Sequence, residues 1–403
     1  MVNVLEVFDE YEKRFAKARV EKRLHRPWVD KEREEIYEIV KDVLKFDEEQ
    51  VPEIKVLKTE TQVWGGIEIR HMQFESWEHF YGVSSLYIPE GAGKRHLVIV
   101  CPGHGAQGRL SESYQRMALT LVKQGAYVLI LENIGQGCRK EFGHANVPEV
   151  FYCGKTLQGL IVAEACGWIR YMKKQPYIDA DKIGACGNSG GGTLTTFLCA
   201  VEPTLQAIAS SGYPNEFSYV LQKEKRHCDC NLLHHFAGRL EMWEVYSLFA
   251  PKPLLLECGK HDQLLPVDIF QKNARKVRTT YEMLGGSQNL RTEVASTVHK
   301  WMEEDMHIIG TFFADVFGLE KPEVADGADL ISHDDVHSEF PADALTTGEM
   351  VEKLTGITMP KGLTLADIVM PTYKGENIDP KTVSGEMDKE EMMRIFAQFE
   401  FSL

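Results

Sequence analysis

Short, almost wholly apolar runs recur along this chain with room for one helix between most neighbours, and few architectures accept that rhythm. His96–Cys101 (HLVIVC), Ala126–Leu131 (AYVLIL), Lys182–Gly187 (KIGACG), Ala207–Ser211 (AIASS) and Pro253–Cys258 (PLLLEC) are too short for ordinary helices, and the more polar Arg291–Thr297 continues the series. Amphipathic stretches over Glu112–Gln124 and Leu157–Lys174 separate the first of them. Strands that are apolar on both faces, alternating with helices, specify a mostly parallel sheet with helices on both faces. Before these runs the period is two: Ile67–Met72 and Val83–Ile88 read as antiparallel strands, preceded by a Gly65-Gly66 turn. The sheet is therefore expected to be mixed, with its antiparallel part at the N-terminal edge. Right-handed crossovers place the C-terminal ends of the parallel strands along one rim, where a site should be sought.

Three segments follow from the change of pattern. Residues 1–50 read as N-terminal helices, with Val4, Phe8, Tyr11 and Phe15 at helical spacing and Ile36, Ile39, Val40 and Val43 repeating it after Pro27. They would brace the main domain, act as a lid or contact a second copy, so a homo-oligomer is one expectation. Residues 51–317 form the α/β core, with 213–250 as an irregular insertion able to roof the rim. Residues 318–403 are an acidic C-terminal extension with short helices expected near Gly348–Leu354 and Asp388–Gln398.

The net charge of −15 supplies no basic stripe for nucleic acid. No apolar run approaches the ~18 residues of a membrane span. The opening MVNVLEVFDEYEKRF lacks the basic flank and apolar core of a signal peptide. With nine cysteines, most of them in apolar stretches, free thiols in a reducing cytoplasm are expected.

The chemistry is concentrated at Gly187-Asn188-Ser189-Gly190-Gly191-Gly192, directly between the strand KIGAC and the helical TLTTFLCA. A G-x-S-x-G at a strand-to-helix junction is a nucleophile elbow, which lifts the serine above the sheet at a helix N-terminus. Such a serine needs a general base, and the base needs a carboxylate to orient it. In the order Ser, Asp, His, the chain offers Asp262 after PLLLEC and His299 before the helix WMEEDMHIIGTFFADVF. Glu257, within its strand, and His307, inside the last helix, are weaker candidates. Backbone donors for an oxyanion are expected from Gly190 and from the loop Pro102–Gly108.

These residues resemble the α/β-hydrolase superfamily, and within it the acetyl xylan esterase and dienelactone-hydrolase-like branch. Cys101-Pro102-Gly103-His104-Gly105, Glu132-Asn133-Ile134-Gly135-Gln136-Gly137-Cys138-Arg139 and Ala250-Pro251-Lys252-Pro253-Leu254-Leu255 carry the likeness, over roughly residues 80–317. It implies an α/β-hydrolase fold, Ser189, Asp262 and His299 as a triad, and Gly190 and Ala106 as oxyanion donors. It also implies a serine carboxylic-ester hydrolase for short acyl esters, such as acetylated sugars, without cofactor. The same fold also hosts carbon–carbon and amide cleavage, and non-catalytic ligand binders. Glu132 stands where that branch usually has aspartate, and the loop before His299 lacks its usual glycine.

His104, Glu132, Arg139 and Trp243 are the candidate substrate-binding residues. For Glu132 and Arg139 the alternative is tying the loop after their strand. For Trp243, spaced helically with Tyr246 and Phe249, it is core packing. His227-Cys228-Asp229-Cys230-Asn231, with His234 and His235, has zinc-ligand types. Its C-x-C spacing is tight and no second pair accompanies it, so a substrate-side loop, and no metal, is expected.

Overall fold

The computed structural model describes residues 20, 22–91, 93–220, 229–234, 239–327, 330–332, 335–336 and 339–363. The helix expected over the first residues, the one near Asp388–Gln398, and His227, Cys228 and His235 lie outside the described residues.

Among the described residues nine strands form one sheet: β1 (Lys55–Trp64), β2 (Ile67–Glu75), β3 (Tyr81–Ile88), β4 (Arg95–Cys101), β5 (Tyr127–Ile130), β6 (Ile178–Asn188), β7 (Ala207–Ser211), β8 (Leu254–Gly259) and β9 (Leu290–Ala295). Their spatial order is β1-β2-β3-β5-β4-β6-β7-β8-β9. β1, β2, β3 and β5 pair antiparallel, and every pairing from β5 onward across the sheet is parallel. The expected mixed sheet is present, and each predicted strand lies within a few residues of its place.

The longer helices are α1 (Asp30–Leu44), α2 (Glu112–Lys123), α3 (Leu157–Lys173), α4 (Gly190–Val201), α5 (Met242–Ser247), α6 (Val267–Met283), α7 (Glu303–Phe317) and α8 (Thr347–Thr355). Alternation along β4 shows how they are shared between faces. Leu97, Ile99 and Cys101 enter one core with residues of α1, α3, α4, α5 and α6; Val98 and Val100 enter the other with α2 and α7. Helix α6 was not foreseen, although Phe270, Ala274, Val277 and Tyr281 bury one amphipathic stripe of it. Among the described residues no helix is long and apolar enough to cross a membrane.

The N-terminal part holds the insertion against the sheet. Trp28 packs edge-on against Trp243 with ring centroids 5.7 Å apart. Arg23 grips the buried Glu244 carboxylate through Nε (2.5 Å) and Nη2 (2.9 Å). Arg33 donates to the Ala250 and Leu248 carbonyls. After α7 the chain runs back over the antiparallel strands. Gln62 and Gln73 donate to the Asp335 and Glu339 carbonyls, and Leu345 N–H donates to His79 O. The hydroxyl of Thr346 caps the start of helix α8, and Thr347 Oγ1 donates to Gly143 O at 2.8 Å.

Removing an indole from a closed aromatic contact leaves a cavity as well as lost transfer energy. Trp28→Ala is therefore expected to destabilise the chain by about 3–5 kcal/mol in denaturant unfolding.

Candidate active site

The elbow depends on atoms that approach closer than side chains allow. A Cβ at Gly191 would collide with the Cys101 carbonyl, and one at Gly187 with the Gly191 carbonyl. Glycine at both positions lets β6 turn into α4 beneath the end of β4. Ser189 itself sits at φ 58°, ψ −120°, a region non-glycine residues rarely adopt. Its N–H donates to Ser211 O at 3.1 Å, and its carbonyl accepts from Thr193 N–H at 2.9 Å.

The side chain so raised meets His299. Ser189 Oγ lies 2.8 Å from His299 Nε2, and His299 Nδ1 lies 2.7 Å from Asp262 Oδ2. The second Asp262 oxygen accepts the Leu264 and Leu265 N–H groups at 2.7 and 2.9 Å. A carboxylate with its other oxygen so occupied can only accept from the ring, so Nδ1 carries the proton and Nε2 is left to take one from Ser189. The three residues expected to form a triad are thus brought together from the ends of β6, β8 and β9. His261 contributes only backbone here, its N–H donating to Thr297 O.

A second carboxyl lies under this row. Ser211 Oγ donates to Glu257 Oε2 and also lies 3.3 Å from Asn188 Oδ1, on the residue before Ser189. Burial first, then the charge of neighbouring Asp305, pushes the Glu257 carboxyl well above the usual range. Thr297 Oγ1 donates to Asp305 at 2.8 Å, two residues from His299.

The loop after β4 contacts the elbow at Gly103 and His104. A Cβ on Gly103 would stand 2.8 Å from Ser189 Cβ, and one on Gly190 would stand 3.4 Å from His104 N. Ala106, expected as the second oxyanion donor, is exposed two residues further on, where the chain has already turned away through Gly105 O to Gly108 N. Three side chains hold this path: Tyr114 OH accepts Gly103 N–H at 2.6 Å, Asn133 Nδ2 donates to Pro102 O at 2.5 Å, and Gln136 Oε1 accepts Gly105 N–H at 3.0 Å. None was foreseen, although Asn133 and Gln136 belong to the run already singled out.

Of the candidate substrate contacts, only His104 is exposed at the site. Glu132 is buried, paired with the buried Arg109 guanidinium and accepting Arg109 N–H at 3.1 Å. Arg139 is buried too: it makes a forked ion pair with Glu164 at 2.6 and 3.0 Å and lies over the Phe80 ring at 4.8 Å. Trp243 is fully buried against Trp28. All three are corrected to structural roles, because desolvated, paired side chains have no face left for a substrate.

His104 also meets His144 and Cys230. Its Nε2 lies 2.9 Å from His144 Nε2 and 3.3 Å from Cys230 Sγ. Cys230 is disulfide-bonded, against the expectation of free thiols. Cys101, Cys153, Cys166, Cys186, Cys199 and Cys258 are free and buried. His234 stands apart, stacked on Phe151 with centroids 3.9 Å apart.

Sheet order, elbow and rim together decide the architecture. The chain has an α/β-hydrolase fold. No family model matches the sequence. Methylesterase BT1017 superposes with a TM-score of 0.60 at 21% identity, covering 80% of this chain and 72% of that one. A glucuronoyl esterase from Solibacter usitatus gives 0.55 at 16% identity, over 72% and 93%. A Bacteroides fragilis NCTC 9343 protein, provisionally named an acetyl xylan esterase, gives 0.53 at 16%, over 65% and 74%. By sequence the chain is 24% identical over 182 residues to YtaP of Bacillus subtilis (strain 168), provisionally named a hydrolase. The match covers 44% of this chain and 61% of that protein's length.

Two outcomes follow from the buried charges. Arg139→Met strands the Glu164 carboxylate, and is expected to cost about 3–5 kcal/mol of unfolding free energy. Because burial and the charge of Asp305 raise the Glu257 carboxyl, the native state keeps its proton to higher pH than the unfolded chain, which releases it near pH 4.5. Its contribution is fully present below that pH and is lost as pH rises towards the elevated native value. Thermal melts across pH should show Glu257→Gln gaining stability relative to wild type as pH rises above 4.5; parallel curves would contradict this.

Proposed function

We propose that this protein is a serine carboxylic-ester hydrolase working through an acyl-enzyme on short acyl esters, with acetylated sugars as the substrate class. The observation that carries the reading is the unbroken hydrogen-bonded row Ser189–His299–Asp262 at an elbow. The esterase names of three fold neighbours favour an ester as the scissile bond.

His299 Nε2 takes the Ser189 proton as Oγ attacks the ester carbonyl. Asp262, fixed by two backbone N–H groups, keeps the ring oriented and stabilises the imidazolium. Negative charge on the tetrahedral oxygen develops at the N-terminus of α4, where the Gly190 N–H has no intrahelical partner. The His104 backbone N, beside Gly190, supplies the second donor in place of Ala106. Each such donor is worth on the order of 10²–10³ in rate. Imidazolium then protonates the leaving alcohol, and the same ring activates water for deacylation.

Hydrolysis of p-nitrophenyl esters from acetate to octanoate tests this. Wild type should turn over acetate or butyrate fastest, with Ser189→Ala and His299→Ala each reducing kcat by roughly 10⁴-fold or more. Covalent labelling of wild type, but not Ser189→Ala, by a fluorophosphonate is expected alongside. Labelling without turnover of any ester would refute the ester, and absence of both would refute the nucleophile.

A further inference from the structure

We propose that His104, His144 and Cys230 form a binding site for a borderline-soft divalent cation of the zinc type, available once the Cys230 disulfide is reduced. The ligand atoms, His104 Nε2, His144 Nε2 and Cys230 Sγ, all lie within 4.8 Å of one another. They come from three separate loops: the one after β4, the one after β5, and the insertion between β7 and β8.

The tautomers support ligation. His144 Nδ1 is 2.6 Å from the Ile134 carbonyl, which can only accept, so Nδ1 carries the proton and Nε2 presents its lone pair. A backbone carbonyl that fixes the far nitrogen is the usual support of a metal-bound imidazole. Without an ion, His104 Nε2–H donates to His144 Nε2 across the 2.9 Å gap; on binding, that proton moves to His104 Nδ1. Zn–N bonds of ~2.0–2.1 Å and a Zn–S bond of ~2.3 Å at tetrahedral angles separate donors by roughly 3.3–3.6 Å. The observed separations of 2.9 and 3.3 Å need shifts of roughly 0.5 Å or less to match that geometry, and the His144–Cys230 pair, within 4.8 Å, has to close by about 1.2 Å at most.

Sulfur is the remaining requirement. A dithiol reductant supplies two electrons and two protons, converting the disulfide to two thiols while itself closing to a disulfide. The Cys230 thiol then releases its proton to solvent as the thiolate binds the ion. Among the described residues two imidazoles and one thiolate are the ligands, which leaves a fourth position that water can take. The site would fasten the His104 loop, which touches the elbow, to the insertion above it, and make that fastening dependent on thiol redox state.

Cobalt(II) is the probe. The full chain, reduced with dithiothreitol and desalted without oxygen, should bind one equivalent with a near-ultraviolet thiolate-to-cobalt band and a tetrahedral visible spectrum. Cys230→Ser should lose the thiolate band. His144→Gln, and the exposed His104→Ala, should each weaken binding at least about tenfold, since loss of even an outer-shell partner costs 10–100-fold. Unreduced protein should show no such band. A reduced wild type without the band, or a band that persists in Cys230→Ser, would overturn the proposal. So would cobalt affinity unchanged in both histidine variants with native melting curves.

Discussion

The backbone at Ser189 is the constraint on which the site depends. A non-glycine residue at φ 58° costs roughly 1–3 kcal/mol and persists only where its surroundings leave no alternative. Here they leave none. Strand β6 is pinned between β4 and β7, the serine N–H is committed to Ser211, and its carbonyl starts α4. The contact of Gly191 with the Cys101 carbonyl then fixes the β4 loop to the elbow, so Gly103 and His104 cannot drift from Ser189. His299 and Asp262 arrive on neighbouring strands whose parallel pairing brings their ends to the same rim.

Two buried ion pairs keep that rim rigid. Arg109–Glu132 fastens the turn after the β4 loop to the segment after β5, and Glu132 lies so close to Gly108 and Gly137 that no side chain fits at either. Arg139–Glu164 fastens the next turn to α3, with Phe74 and Phe80 excluding water from the guanidinium. Burying four charges is costly, and such pairs stabilise only when geometry and additional hydrogen bonds offset desolvation. Arg109 has such bonds, through Ser85 and Cys138. Charged residues near the rim that carries the candidate site therefore need not face a substrate.

That distinction marks the limit of what the sequence discloses. The alternation of apolar runs and helices is a local pattern, so the sheet, its mixed edge and the strand positions were legible. Ser189, Asp262 and His299 were legible because each follows a strand and the rim collects strand ends. Glu132, Arg139 and Trp243 were ambiguous because residue type gives polarity, while burial is set by partners distant in sequence: Arg109, Glu164 and Trp28. The position of Ala106 was not legible because a glycine-rich loop has no periodicity, and its path is held by Tyr114, Asn133 and Gln136. His144 gave no signal of its own; it sits in a turn and acquires neighbours only through folding.

The outer strands of the nine-stranded sheet bear on the protein's behaviour in concentrated solution. An open sheet ends in two rows of unpaired backbone groups that invite a second molecule to add its own strand. On β1 Lys55 and Lys58 are exposed, and Lys58 pairs with the half-buried Glu60. β9 is six residues long, and carries Arg291 and Glu293 with Arg291 held by Asp315. A molecule approaching edge-on would have to desolvate these charges before gaining ladder hydrogen bonds. The charges therefore oppose strand addition at both margins of the described sheet, although the exposed Leu57, Val63 and Val294 share those same two strands, while the apolar middle strands stay sealed within.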